Sequence, residues 1–158
     1  MKVFNIIVLL LFTPYTMTWT PQPWTKPLIK SNKAYCDKQE KLIGYKIDAV
    51  TDVDTNTINT CFEPEDSQEI RDHAITHEKL HSVYNNSFTD LERNLFNTYY
   101  DYKIENEHKF ENPYSKMNNQ EFFAETLARV KSWTFKGQDK YDDLMKKVYE
   151  KIISSYDL

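Results

Sequence analysis

The stretch AITHEKLHSVY, residues 74–84, sets His77 and His81 four positions apart with Glu78 directly after the first. Residues four apart on a helix stand about 5–6 Å apart at Cβ, so both imidazoles can be aimed at one ion. Glu78, one position on, points to the flank of that ion, where a carboxylate can take a proton from water without being a ligand. These are the residue types and the spacing that zinc-assisted hydrolysis requires. Three fixed positions in five also arise by chance, so the surroundings decide their weight. Here the motif falls in an amphipathic helical stretch, the N-terminus looks exported, and a third ligand is available downstream.

Two histidines leave a zinc ion in need of a third protein ligand and an open position. QEFFAE supplies carboxylates at Glu121 and Glu125, one turn apart on a later helix. Both can face the first helix while Phe122 and Leu127 fill the core. Taken alone, an E-x-x-x-E pair is two solvated glutamates paired with lysines; the H-E-x-x-H upstream favours ligation. His73 also stands four before His77, but it lacks a glutamate at the required offset and reads as a polar residue on the preceding turn. His108, in the charged ENEHKF, reads as a solvated residue or a partner for a helix C-terminus.

With Tyr114 seven positions before Glu121, YSKMNNQEFFAE resembles the corresponding stretch of the anthrax lethal factor catalytic-domain family, which includes the bacterial Pro-Pro endopeptidases. In that family H-E-x-x-H is followed by a tyrosine, six residues and E-F-F-A-E. Here His77, Glu78, His81, Tyr114, Glu121 and Glu125 occupy those positions, and the resemblance runs from Ile70 to Val130. It implies one Zn2+ per chain, held by His77, His81 and Glu121. It also implies Glu78 as general base, Tyr114 as the hydroxyl that steadies the oxyanion, and Glu125 as the carboxylate that orients a ligand histidine. Read from its own surroundings, Tyr114 follows Asn112-Pro113 and is a loop residue packed on the surface. The implied activity is that of a secreted zinc metalloendopeptidase of the gluzincin type, with proline-containing peptides as the first substrates to try. The alternative is a secreted binding protein that keeps zinc as a structural staple; Glu78, which such a site does not need, speaks against it.

The 158 residues, 40% hydrophobic and 15% aromatic, fit one domain with a core. Lysines and arginines number 20 against 24 acidic residues, interleaved, for a net charge of −4. That balance argues against nucleic acid or an anionic membrane surface as partners and leaves a peptide or protein substrate, with a monomer expected. MKVFNIIVLLLF carries one lysine before the apolar run Val3–Phe12, which reads as a signal peptide over residues 1–20 and an extracellular destination, without stable membrane association once the signal is removed. No small-x-small cleavage site follows, so an uncleaved anchor or a buried segment is the alternative. TPQPWTKP, with Pro21, Pro23 and Pro27, reads as a Pro-rich linker over 21–30, leaving the zinc metallopeptidase domain at 31–158. In an oxidising compartment Cys36 and Cys61, neither in a C-x-x-C, read as a structural disulfide; two buried free thiols would suit the cytoplasm.

KLIGYKIDAV and TNTINTCFE carry β-branched and aromatic residues in partial alternation, separated by the turn-forming TDVDTNT. They predict a small antiparallel pair whose second strand offers its edge to an extended peptide. From Glu65 onward the period is helical. A first helix runs on to Asn85 and Asn86 with Ile70, Ala74, His77, His81 and Tyr84 on one stripe. A second opens with a Thr89/Glu92 capping box and carries Leu91, Leu95, Phe96, Tyr99 and Tyr102. Two more are separated near Gly137. The expected fold is α+β, a mostly helical gluzincin-like domain with a small antiparallel sheet.

Overall fold

Pro23 and Pro27 keep the chain extended where it enters the domain. Strand β1 (Leu28–Ser31) follows directly and pairs in parallel with β3 (Thr57–Thr60). On its other side β3 pairs antiparallel with β2 (Ala49–Asp52), giving the order β1-β3-β2. The sheet is therefore mixed and three-stranded, where an antiparallel pair was expected. The segment expected to be a linker supplies the third strand. Ahead of it, Trp24 donates from Nε1 to Ser82 Oγ at 3.1 Å and stands edge-on to Tyr156 with centroids 5.7 Å apart. Folded structure thus begins before residue 31. The computed structural model describes residues 23–158 except Glu111 and Asp139, with the backbone alone at 140, 141 and 144. The expected signal peptide lies outside the described residues.

Between β1 and β2 lies helix α1 (Lys33–Ile43), which the strand pattern of KLIGYKI concealed. Asn32 caps it, accepting from Tyr35 N at 3.2 Å. Gly44 ends it at φ 82°, a left-handed conformation that glycine adopts without a Cβ penalty. Leu42 and Ile43 are thus the last turn of a helix, and the strand starts only at Ala49. The Cys36–Cys61 disulfide joins α1 to the end of β3, as expected.

Helix α2 (Gln68–Asn86) is capped by Ser67, and α3 (Asp90–Glu105) opens with the Thr89/Glu92 capping box. A 3₁₀ turn (Tyr114–Lys116) precedes α4 (Asn119–Lys131), and α5 (Lys140–Ser155) follows Gly137. The core is an aromatic cluster closed by aliphatic residues of α2 and α4. Phe123 stands 5.1 Å from Phe88 and 4.9 Å from Phe96, with Leu80, Val83, Ala124 and Leu127 fully buried beside them. This packing lays α2 alongside α4. Leu91, one of the apolar residues read along α3, is 81% exposed, whereas Phe96 and Tyr99 are buried. A buried ion pair ties α3 to α5: Lys103 Nζ reaches both oxygens of Asp142 at 2.9 Å, and Tyr99 donates to the same carboxylate at 2.7 Å. No helix among the described residues is long and apolar enough to cross a membrane.

Candidate metal centre

The inner stripe of α2 places His77 and His81 one turn apart, with Nε2 atoms 3.0 Å from each other. Across the seam, α4 presents Glu121. Its Oε2 lies 3.1 Å from His77 Nε2 and 3.4 Å from His81 Nε2. Ligands held at about 2.0–2.2 Å by a tetrahedral ion stand about 3.3–3.6 Å apart. The three atoms therefore form a slightly contracted face of such a shell. His77, Glu78 and His81 each also offer one ligand atom, all within 4.8 Å of one another, so the group could hold a metal ion.

Local sequence fixes Glu121. Asn118 caps α4, accepting from Gln120 N at 3.0 Å and Glu121 N at 2.9 Å, which sets Glu121 in the first turn where the helix favours a negative charge. Burial alone would raise its pKa, but hydrogen bonds and charge from His77 and His81 hold the carboxyl at about 2. His77 moves the opposite way. Burial disfavours its charged form, yet contact with Glu121 and Glu125 and the nearby charge of Glu78 override that and raise it to about 9.

Glu125 lies one turn beyond Glu121 on α4, against the other side of the His77 ring. Its Oε2 is 3.3 Å from His77 Nδ1 and 3.3 Å from His73 Nε2. The Nδ1 contact has ion-pair distance but not hydrogen-bond geometry, which leaves that buried nitrogen without a hydrogen bond of its own. Arg129 Nε and Asn112 Nδ2 both donate to Glu125 Oε1 at 2.7 Å. Burial pushes this carboxyl up, but His73, His77 and Arg129 hold it well below the usual carboxylate range.

Glu78 is held from the sheet. Thr51, on β2, donates from Oγ1 to Glu78 Oε2 at 2.6 Å and lies 3.0 Å from its backbone oxygen. Tyr114, 39% exposed, holds its ring 5.7 Å from that of His77. Burial, then the charges of Glu121, Glu78 and Glu125 and the neighbouring Tyr45, push its phenol well above the ordinary value and keep it protonated.

All six residues singled out from the sequence thus converge on one place. Thr51, Asn112 and Arg129 join them unforeseen. Only Arg129 left a signal, its i,i+4 spacing from Glu125. His73 stands outside the histidine–Glu121 triangle, against Glu125, and His108 stacks on Tyr102 at 5.2 Å. The strand TINT, expected to offer an edge, is the central strand; the outer strand tied to the centre through Thr51 is β2. No protein-family model, curated protein or solved structure matches the chain.

Proposed function

We propose that the protein is a secreted zinc metalloendopeptidase of the gluzincin type. The observation that carries this reading is the triangle of His77 Nε2, His81 Nε2 and Glu121 Oε2, with sides of 3.0, 3.1 and 3.4 Å, flanked by a glutamate held from outside it. Two imidazoles and a carboxylate are a hydrolytic zinc donor set, three protein ligands with one position left open. The unbonded His77 Nδ1 beside Glu125 fits too, since a ligand histidine commonly gives its second N–H to a carboxylate. Zinc held there would supply Lewis acidity and lower the pKa of water at the open position to about 7.

The chain's own residues do the rest. Glu78 is suspended by one oxygen from Thr51, which leaves the other free to take a proton from water and pass it to the leaving amine. Tyr114, neutral at working pH, donates its phenolic hydrogen to the developing oxyanion. The outer edge of β2 offers backbone groups with which an extended peptide can pair. A preference for proline-containing peptides rests on the family resemblance alone. Export fits the disulfide, which persists in oxidising compartments.

A binding protein with a zinc staple would use a fourth protein ligand to close the site. Both cysteines are spent in the disulfide, so Glu78, which offers a ligand atom near those of His77 and His81, would be the group to close it. The test is a peptide-library digest by purified full-length protein loaded with zinc, with and without a chelator, beside the Glu78→Gln variant. Chelation should abolish cleavage, and Glu78→Gln should lower turnover by about 10²–10⁴-fold while still binding one zinc. Cleavage by Glu78→Gln at the parent rate would refute the mechanism; a zinc-loaded protein that cleaves nothing in the library would favour the staple.

A further inference from the structure

We propose that Asn112 is a positioning residue for Tyr114, latching the turn that carries the phenol onto Glu125, the carboxylate behind His77. The inference rests on the peptidase reading above and adds to it the device that sets the reacting hydroxyl in place.

The described residues of the link from α3 to α4 (106–110 and 112–118) have no regular structure beyond the 3₁₀ turn, so Tyr114 owes its position to individual bonds. Phe110 anchors the first half, its ring 5.7 Å from those of Tyr100 and Phe122. Tyr100 also donates from its hydroxyl to Lys116 O at 2.8 Å, tethering the far end of the turn. Its near end is held by Asn112. The side-chain oxygen of Asn112 accepts from Ser115 N at 2.8 Å and from Ser115 Oγ at 3.1 Å, and Ser115 is fully buried. The amide nitrogen points the other way and donates to Glu125 Oε1 at 2.7 Å.

Residue type sharpens the inference. Asp, Asn, Ser and Thr all cap turns by accepting from a backbone N–H. Of these, only asparagine can accept at the turn and donate to a carboxylate with one rigid planar group. Aspartate would set two carboxylates against each other, and serine or threonine is too short to span both partners. Asn112 performs both functions at once, capping the turn and linking it to Glu125. Glu125 meanwhile lies 3.3 Å from His77 Nδ1, so one carboxylate references both the His77 ring and the Tyr114 turn. A misplacement of about 1 Å can cost about 10²-fold in rate, so the precision of such a latch matters to the reaction.

The first test needs no activity. Full-length protein labelled with 3-fluorotyrosine shows its tyrosines by ¹⁹F NMR, and the Tyr114 line is the one missing from Tyr114→Phe. Asn112→Ala should move that line toward the free amino acid and leave the lines of the buried Tyr84, Tyr99 and Tyr149 in place. Should Asn112→Ala not fold, Asn112→Asp keeps the cap but sets a carboxylate against Glu125 in place of the donor, and should move the same line. A Tyr114 line unmoved in a folded Asn112 variant overturns the proposal. The second test is a double-mutant cycle on zinc-loaded protein with a cleavable peptide. Asn112→Ala should lower kcat by about tenfold or more with KM within about twofold, and should add less than about twofold to Tyr114→Phe. Full additivity would assign Asn112 a general structural role and overturn the latch. If no peptide is cleaved by the parent protein, the peptidase reading fails while the ¹⁹F result still decides whether Asn112 places Tyr114.

Discussion

Metal uptake should be a proton exchange at His77. In the metal-free protein the ring is buried against Glu121 and Glu125 and keeps its proton up to about pH 9, whereas Glu121, at about 2, is already ionised. A metal at Nε2 must therefore displace a proton from His77 at any pH below about 9. At about 1.4 kcal/mol per pH unit, that proton costs binding about 3 kcal/mol at pH 7 relative to pH 9. The apparent affinity should rise about tenfold per pH unit over that interval, and zinc titrations in two buffers of different ionisation enthalpy should report about one proton released from this ring at pH 7.

The same linkage acts on folding with the opposite sign. A histidine raised above its unfolded value of 6.5 contributes stability that is fully present below pH 6.5 and is lost as pH rises through about 9. Over that window the apo protein should lose up to about 3 kcal/mol in urea unfolding, an upper figure for a contact that solvent partly screens. The zinc form, whose His77 is already neutral, should not lose it. Glu121 behaves in reverse: its contribution is present above pH 4.5 and disappears as pH falls through about 2. Zinc uptake without proton release at pH 7, together with apo and zinc-loaded stabilities that run parallel from pH 6.5 to 9, would refute the charged His77–Glu121 pair and the site built from it.

Thr51→Val removes the hydroxyl from Glu78 and should lower kcat about tenfold at unchanged zinc content, with Thr51→Ser restoring most of it. Replacing Cys36 and Cys61 together by alanine opens a loop of sequence separation 25 and should cost about 3.5 kcal/mol in urea denaturation; no change in midpoint would refute the bridge's contribution. Lys103→Met takes the Lys103 cation from Asp142, which is 3% exposed, and should cost about 3–5 kcal/mol, of which a second substitution, Asp142→Leu, should return a part.

The centre divides by how its parts are written in the chain. His77 and His81, Glu121 and Glu125, and Glu125 and Arg129 are each one helical turn apart, so helix periodicity alone puts each pair on one face. Once α2 and α4 pack, the two faces meet, and the convergence of these side chains was legible for that reason. The sheet was less so, because β1 joins in parallel and its register with β3 is set across 25 intervening residues by α1 and the disulfide rather than by local alternation. Least legible were the groups that orient the donors. Thr51 lies 27 residues from Glu78 on a four-residue strand, and Asn112 lies in an irregular link, 13 residues from the carboxylate it holds. Neither belongs to a repeat that could announce it. Yet each spends its side chain on a carboxylate of the centre, and each is joined to the backbone of a different wall, β2 on one side and the 3₁₀ turn on the other. A shift in either wall is therefore transmitted to Glu78 or to Tyr114 before it reaches the histidines. Substitutions in β2 or in residues 112–118 should accordingly impair turnover at occupancies of zinc that remain full, and substitutions on the shared seam of α2 and α4 should lose both together.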